Sequence, residues 1–170
     1  MNDSTLADDC KRRVIDAPND VAVLPIDAMT MRQKVNAIEA RMRQMDQIEI
    51  PVRHYFSQGV YAREIQIPKG ALLTGKIHKY QQLNILSKGD ISVLTEDGVK
   101  RVQAPFTIVS PPGTKRVAIA HEDCVWTTIH GTEETDVDKI EAHFIAQDET
   151  EYLTFCQETL KLVEGDKCPG

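Results

Sequence analysis

Hydrophobic residues recur with different spacings along the chain, and these spacings divide it into four segments. Residues 1–25 are polar and show no repeat, which predicts an N-terminal arm. Residues 26–50 contain a helical repeat, residues 51–131 alternate with a period of two, and residues 132–170 return to the helical period. We therefore expect a polar arm, an amphipathic helix, a β-domain and a C-terminal helical extension.

The first helical repeat predicts an amphipathic helix near residues 30–46. Thr30 and Gln33 have the T-x-x-Q spacing of a capping box, in which both side chains accept hydrogen bonds from backbone amides at the helix start. The apolar residues that follow at steps of four and three share one face, which can pack on the β-domain or on a second subunit. These residues are Met31, Val35, Ile38, Met42 and Met45.

Two further helices are predicted after residue 132. Thr135 is the expected N-cap of the first, whose apolar stripe is Val137, Ile140 and Phe144. The second is expected over about 149–163. Its inward-facing residues are expected to be Tyr152, Phe155, Cys156, Leu160 and Val163.

The segment between these helices contains many short runs of alternating polar and apolar residues, separated by Gly and Pro. Asp97-Gly98 lies between two such runs and predicts a tight hairpin in which both turn residues have positive φ. Regular short strands with turn signals are typical of an antiparallel sandwich or small barrel. The candidate strands are 60–67, 74–79, 82–87, 90–95, 99–103, 106–110, 115–121 and 124–130.

Composition narrows the functional classes. The 170 residues have a formal net charge of -6, so no general basic field attracts nucleic acid. No apolar run reaches membrane-spanning length, and residues 1–13 lack the apolar core of a signal peptide, so we expect a cytoplasmic protein. The four cysteines are scattered without a CxxC pair, which argues against a disulfide framework and a structural zinc site. Cys124 is expected in the core.

Two sequences in the β-segment, PKGALLTGKIHKYQQLNILSKGD and APFTIVSPPGTKRVAIAHEDCVW, resemble the two motifs of the cupin superfamily. The resemblance covers about residues 55–130 and implies an antiparallel jelly-roll β-barrel. Its turn positions match those of the family. The matching turn residues are Gly70, Gly89, Pro111 and Gly113.

The positions at which cupins bind a metal are occupied differently here. The resemblance places Lys76, His78, Gln82 and Arg116 at the four ligand positions. Charged lysine and arginine side chains have no lone pair for a metal and would repel a divalent cation. The same cations favour a carboxylate or phosphate, so we expect a pocket without a metal or other cofactor that binds a small anion.

Further residues are expected at this pocket. Asn84 is a candidate hydrogen-bond donor, and Glu64 is the expected internal carboxylate near the cations. Trp126 is a candidate for the pocket wall or, alternatively, for a subunit contact. Structural alternatives stay open: Lys76 can extend over an apolar wall, Arg116 can pair with Glu64 or Glu122, and Gln82 can bond to Asn84. A displaced metal site of His54, His78, His121 and His130 is not indicated by their spacing.

A narrower resemblance, through KIHK, LNILSKG, SPPGTKR, AHED and VWTTIHGTEETDVDKIE, is to small cupin-domain proteins of tailed phages. It implies a phage origin, without a reaction. The favoured function is non-catalytic binding of a small anion, by a homodimer or higher homo-oligomer. One alternative is a virion-associated structural module that contacts other virion proteins. A second alternative is a cupin isomerase or metal-dependent oxygenase, although His78 has no visible relay partner for catalysis.

Overall fold

The computed structural model describes residues 29–165, with side chains through residue 162. The predicted arm at 1–25, Cys10 and Cys168 therefore lie outside the described residues. The elements follow in chain order. They are α1 (Met31–Met42), β1 (Val52–Ser57), β2 (Val60–Ile67), β3 (Leu72–Thr74), β4 (Ile77–His78), β5 (Gln82–Lys88), β6 (Asp90–Thr95), β7 (Gly98–Gln103), β8 (Phe106–Ser110), β9 (Val117–Ala120), β10 (Cys124–Gly131), α2 (Val137–Phe144), β11 (Ile145–Ala146) and α3 (Glu149–Gly165).

The strands form two large sheets and one small sheet. The five-stranded sheet has the order β1-β2-β10-β5-β8, and the four-stranded sheet has the order β3-β9-β6-β7. A two-stranded sheet pairs β11 with β4. Every ladder among the described residues is antiparallel. The predicted fold class, a jelly-roll-type antiparallel β-core flanked by helices, is confirmed, although the hydrogen bonding does not close into one continuous barrel.

Most strand predictions are confirmed, and three of them have the predicted bounds: β2, β6 and β8. The predicted strand 74–79 is wrong as one element, because β3 ends at Thr74 and β4 covers only Ile77–His78 in another sheet. Strand 115–121 shortens to Val117–Ala120. No alternation predicted β1, because all six of its residues are exposed at the edge of the sheet.

The hairpin at Asp97-Gly98 is confirmed, but its predicted backbone geometry is wrong. Thr95 pairs with Gly98, which places Glu96 and Asp97 in the turn. Gly98 has a φ of 102°, whereas no described residue other than glycine has positive φ. Gly98 alone therefore supplies the left-handed conformation that joins the strands.

The N-terminal helix α1 lies against its own domain. The capping box is confirmed: Gln33 N donates to Thr30 Oγ1, and Thr30 N donates to Gln33 Oε1. Val35 is fully buried, so part of the predicted apolar face is covered within one chain. The helix ends at Met42, which leaves Met45 58% exposed beyond it.

Two ionic contacts attach α1 to the β-domain and to α3. Buried Arg32 donates to the carbonyl oxygen of Gly113, and its Nε lies 3.0 Å from the carboxylate of Glu149. Lys115 Nζ donates to Glu39 Oε2 at 2.6 Å. Because the Arg32–Gly113 bond and the Lys115–Glu39 bond both reach the loop between β8 and β9, α1 is fixed to that loop.

The C-terminal helices follow the predicted stripes with one correction. The N-cap of α2 is Asp136, whose carboxylate accepts from two backbone amides, and not Thr135. Both residues are of capping type, and Asp136 has the extended backbone that a cap requires. Ile140 and Phe144 are buried. In α3, Tyr152 and Cys156 are fully buried and Phe155 and Leu160 pack beside them, while the side chain of Val163 lies outside the described part.

The main apolar core lies between the two large sheets. Cys124 belongs to it and is 1% exposed, as predicted. No helix in residues 29–165 has the length and apolarity needed to cross a bilayer. The buried residues of this core cluster are Ile67, Ala71, Leu86, Ile91, Ala120 and Cys124.

Candidate functional site

A cavity of about 300 Å³ is lined by both large sheets and by α2. This volume is at the lower end of the range for small-molecule sites. Alternate residues of β2 and β10 point into the cavity, because side chains on a strand alternate between faces. The cavity is therefore shaped mainly by the period-two pattern of these strands.

Strand register arranges the side chains of the five-stranded sheet in rows. Arg63 pairs with Thr128, and Thr128 pairs with Asn84, so these three side chains form one polar row across the inner face, which we call the arginine row. In the next row, Ile65 pairs with Trp126. Further in the same direction lies the apolar core. The cavity thus changes from polar to apolar along the strands.

On the other side of the arginine row, the sheet presents aromatic and amide groups. Tyr61 pairs with His130 on the adjoining strands. Gln82, on β5, and His78, on β4, also line this part of the cavity. Three groups here are buried and have no hydrogen-bond partner among residues 29–165: His78 Nδ1, His130 Nδ1 and Gln82 Oε1.

Asn84 is the centre of a hydrogen-bond network on the cavity wall. Its Oδ1 accepts from Thr128 Oγ1 at 2.8 Å and from Trp126 Nε1 at 3.2 Å. Its Nδ2 donates to the fully buried Ser110 Oγ at 3.0 Å. Arg116 Nη1 donates to the same Ser110 oxygen at 2.8 Å. Two donors on Oδ1 fix the orientation of the amide, and Ser110 holds the Arg116 side chain at the cavity.

Within the described part of the chain, Arg63 and Arg116 form no ion pair with an acidic residue. Both line the cavity, and among the described residues no carboxylate oxygen lies within 4.0 Å of either guanidinium. Burial lowers the pKa of Arg116, and a favourable interaction with Glu96 opposes this shift. Arginine stays protonated in proteins, so both groups contribute positive charge to the cavity.

Lys76 differs from the two arginines, because it has a carboxylate partner. Its Nζ lies 2.6 Å from Glu141 Oε2, and the side chain is 47% exposed. Glu141 belongs to α2 and is the only acidic residue among those that line the cavity. The pair is close to neutral overall, which leaves the two arginines as the excess charge.

The two cavity histidines lie against each other. The rings of His78 and His130 stack with centroids 5.3 Å apart, and His130 also stacks on Phe144 at 4.2 Å. Burial lowers the pKa of His78 to about 3, helped by His130 and Arg63. Burial also lowers the pKa of His130 to about 4. Both imidazoles are therefore neutral at pH 7.

Most of the sequence-predicted site residues meet in this cavity. The structure places Lys76, His78, Gln82, Asn84, Arg116 and Trp126 in its wall. Whether they bind a ligand stays a prediction.

The prediction that Glu64 is the internal carboxylate of the pocket is wrong. Glu64 follows Arg63 on β2 and points to the opposite face of the sheet. There it lies 3.8 Å from Arg53 and accepts from Tyr55 at 3.5 Å. Of the structural alternatives, Arg116 pairs with neither Glu64 nor Glu122, and Gln82 makes no bond to Asn84.

Sequence reasoning missed three residues of the site. Arg63 was detectable, since it alternates with the inward-facing Ile65. His130 was also detectable, since it lies four positions after Trp126 on the same strand face. Glu141 was not, because its position depends on how α2 packs across the cavity.

The histidines do not assemble a metal site. Among the described residues, no group of three or more His, Cys, Asp or Glu side chains is placed to bind an ion. His54 Nδ1 contacts Tyr61 Oη at 2.7 Å, and His121 Nε2 contacts Ser92 Oγ at 2.7 Å. The two other histidines of the sequence-based candidate set are thus bonded to different neighbours.

No protein-family model matches the sequence, and no curated protein matches it either. Solved structures that resemble the chain include cupin-domain proteins. One is a cupin domain from Bordetella pertussis, with 16% identity and a TM-score of 0.41 over 52% of this chain and 98% of that chain. Another is a cupin-2 domain protein from Shewanella frigidimarina, with 16% identity and a TM-score of 0.41 over 61% and 100%. KdgF from a Halomonas species has 18% identity and a TM-score of 0.43 over 54% and 91%.

Proposed function

We propose that the chain binds a small anion, a carboxylate or a phosphate, in the cavity between its sheets and does not transform it. The observation that supports this proposal is the pair Arg63 and Arg116, two cavity-lining cations with no carboxylate within 4.0 Å among the described residues.

Removing a charged side chain from water costs free energy. A cation that loses water without gaining a partner is destabilised by several kcal/mol in order of magnitude. A bound anion removes this cost by accepting charge-assisted hydrogen bonds, and a carboxylate or phosphate can accept two from one guanidinium. The cavity wall contains Arg63, Lys76 and Arg116 against the single acid Glu141, so its charge favours an anion.

Binding without catalysis is supported by the state of the histidines. A general base works best when its pKa is near the operating pH. With pKa values of about 3 and about 4, His78 and His130 are poor proton acceptors at pH 7. They provide neutral polar surface rather than proton transfer.

A metal-free pocket is part of the same proposal. The fixed positive charge of Arg63 and Arg116 opposes a divalent cation in the space between them and the histidines. Elemental analysis of the purified protein tests this point, and stoichiometric iron, zinc or manganese would contradict it.

The binding proposal is tested by calorimetric titration with hexanoate and with inorganic phosphate. We expect saturable binding of at least one of them to the wild-type protein. Replacing either arginine, in Arg63→Gln or Arg116→Gln, should weaken it about tenfold or more, since a hydrogen bond to a charged group contributes roughly 1.5–3 kcal/mol. The control Arg53→Gln alters an exposed arginine on β1 and should bind as wild type. Equal affinities for all variants would overturn the proposal.

The phage-type assignment and the virion role extend beyond the pocket. They rest on the sequence resemblance and remain secondary proposals. Co-purification of the chain with assembled particles would support the structural role, and its absence from such particles would favour a free binding protein.

A further inference from the structure

The cavity contains more than a positive region. Beside the arginine row lie three buried polar atoms without partners, and on its other side lies an apolar wall. Each of these parts restricts the chemistry of the bound molecule.

Gln82 Oε1 restricts the functional groups of the bound molecule most narrowly. The residue is 5% exposed, lines the cavity from β5, and its carbonyl oxygen has no donor among the residues that the structure describes. A carbonyl oxygen only accepts hydrogen bonds, and leaving it unpaired costs free energy. Its missing partner is therefore an O–H or N–H group that enters from the cavity.

The arginines give the complementary restriction. Guanidinium groups only donate, so Arg63 and Arg116 need an acceptor, and an anionic one suits their charge. A donor group on the ligand must also be tolerated by these two cations. A neutral hydroxyl satisfies both conditions, whereas an ammonium group is repelled by the arginines.

The apolar wall completes the description of the ligand. Beyond the arginine row, the cavity is bounded by aliphatic side chains and by Trp126. A hydrocarbon chain displaces water from this wall and gains the free energy of apolar burial. The aliphatic wall residues are Ile65, Ile67, Leu73, Ile91 and Val93.

We infer that the ligand is a hydroxycarboxylic acid with an apolar chain, its carboxylate between Arg63 and Arg116, its hydroxyl donating to Gln82 Oε1, and its chain against the Trp126 wall. This inference rests on the anion-binding function proposed above.

A matched ligand series tests the inference by calorimetry. The probes are hexanoate, 2-hydroxyhexanoate, 3-hydroxyhexanoate, 2-aminohexanoate and 2-hydroxyhexanamide. At least one hydroxy acid should bind about tenfold more tightly than hexanoate, as expected for one hydrogen bond to a buried acceptor. The amino acid and the uncharged amide should bind more weakly than that hydroxy acid.

The variant Gln82→Met tests whether Gln82 is responsible for the higher affinity of the hydroxy acid. Methionine keeps a similar volume and lacks the carbonyl, so the tenfold preference for the hydroxy acid over hexanoate should be lost. The variant should remain folded, since it removes an unpaired buried acceptor. The control Gln58→Met, in the exposed β1–β2 turn, should keep the tenfold preference.

The possible results distinguish a failure of the hydroxy-acid inference from a failure of the proposed anion-binding function. If hexanoate binds in an arginine-dependent way and neither hydroxy acid gains affinity, water pairs with Gln82 and only this inference is overturned. A preference that survives Gln82→Met also overturns the assignment to Gln82. If no carboxylate in the series binds, the proposed function itself is wrong. The ligand comparison on the wild-type protein decides the first question without any variant.

Discussion

The imidazole rings of His78 and His130 stack with centroids 5.3 Å apart and an interplanar angle of 24°. His130 is buried, Phe144 lies on its other side, and no acid is placed to stabilise a proton on either ring among the described hydrogen bonds. A proton on one ring would lie beside the other ring and near Arg63. The pair is therefore held in its neutral form.

The stability of the fold should depend on this pair below pH 6.5. Burial lowers the pKa values to about 3 for His78 and about 4 for His130, so between pH 6.5 and these values the unfolded chain binds protons that the folded chain does not. The free energy of unfolding should fall as the pH decreases, by roughly 1 kcal/mol per pH unit for each histidine. Urea denaturation between about pH 6.5 and about pH 5 measures the slope, above the range where carboxylates titrate.

The variant His130→Phe isolates one of the two contributions. Phenylalanine can stack on Phe144 in the same position and has no titrating group. We expect about half of the wild-type slope over the same pH interval, by the linkage of one remaining histidine. A variant that keeps the full slope would show that His130 is not buried in a neutral form.

Gly89, between β5 and β6, should tolerate no side chain. Its φ is 95°, and a Cβ there would lie 2.5 Å from Cys124 Sγ and 2.6 Å from Asp123 O. Gly89→Ala should cost about 3 kcal/mol or more, because backbone strain adds to overpacking. Gly98→Ala is the matched control: its φ is 102° and a Cβ meets nothing within 4 Å. Strain alone, about 1–2 kcal/mol, should remain there, and urea midpoints should rank the two variants accordingly.

Arg32 should contribute strongly to stability. The side chain is 7% exposed, donates to the carbonyl of Gly113 and lies 3.0 Å from Glu149. Arg32→Met should cost about 3 kcal/mol, since it leaves a partly buried carboxylate and a backbone carbonyl without a donor. Arg43→Met is the control, because that arginine is 74% exposed and pairs with Glu39 at 3.6 Å; it should change stability by less than about 0.5 kcal/mol. Similar losses in both would contradict the assigned role of Arg32.

In Asn84→Asp, the new carboxylate should compete with the proposed anionic ligand for Arg63 and Arg116. The new carboxylate would share the polar row with Arg63 and lie next to Ser110, which holds Arg116. It would neutralise part of the positive charge, so the affinity for hexanoate should fall about tenfold or more. Asn36→Asp, on α1 beside Lys115, adds the same charge outside the cavity and should leave the affinity unchanged.

Self-association remains a prediction of the sequence. Val35 is covered within one chain, so the α1 stripe supports an interface less than its spacing suggested. Light scattering at micromolar concentration should report a dimer or larger assembly. A monomer at that concentration would remove the homo-oligomer from the proposal.

The sequence predicted the alternating part of the fold well, for physical reasons. Strands such as β5 have one more deeply buried face, and burial imposes a period of two that is visible in the residues. The edge strand β1 is exposed along its length, so no such pattern arises. The two residues of β11 are too few to show any period.

The site shows the same distinction between local pattern and tertiary placement. The position of Gln82 and Asn84 follows from alternation along β5. The error at Glu64 came from ignoring the parity of β2, on which the inward-facing Arg63 is the adjacent residue. The partner of Lys76 depends on the packing of α2 over the sheets, and no local spacing predicts it.

The contacts of Gly113 with Arg32 and Tyr152 bear on the order in which the domain is completed during synthesis. Gly113 lies in the loop between Ser110 and Arg116, and a Cβ at this glycine would be 2.5 Å from Tyr152 Oη. This loop therefore contacts α1, which is synthesised before the β-domain, and α3, which is synthesised after it. A nascent chain whose strands have all emerged from the ribosome still lacks the contact between this loop and α3. The proposed anion site should accordingly be completed only when α3 has emerged, as one of the last events in the biogenesis of the domain.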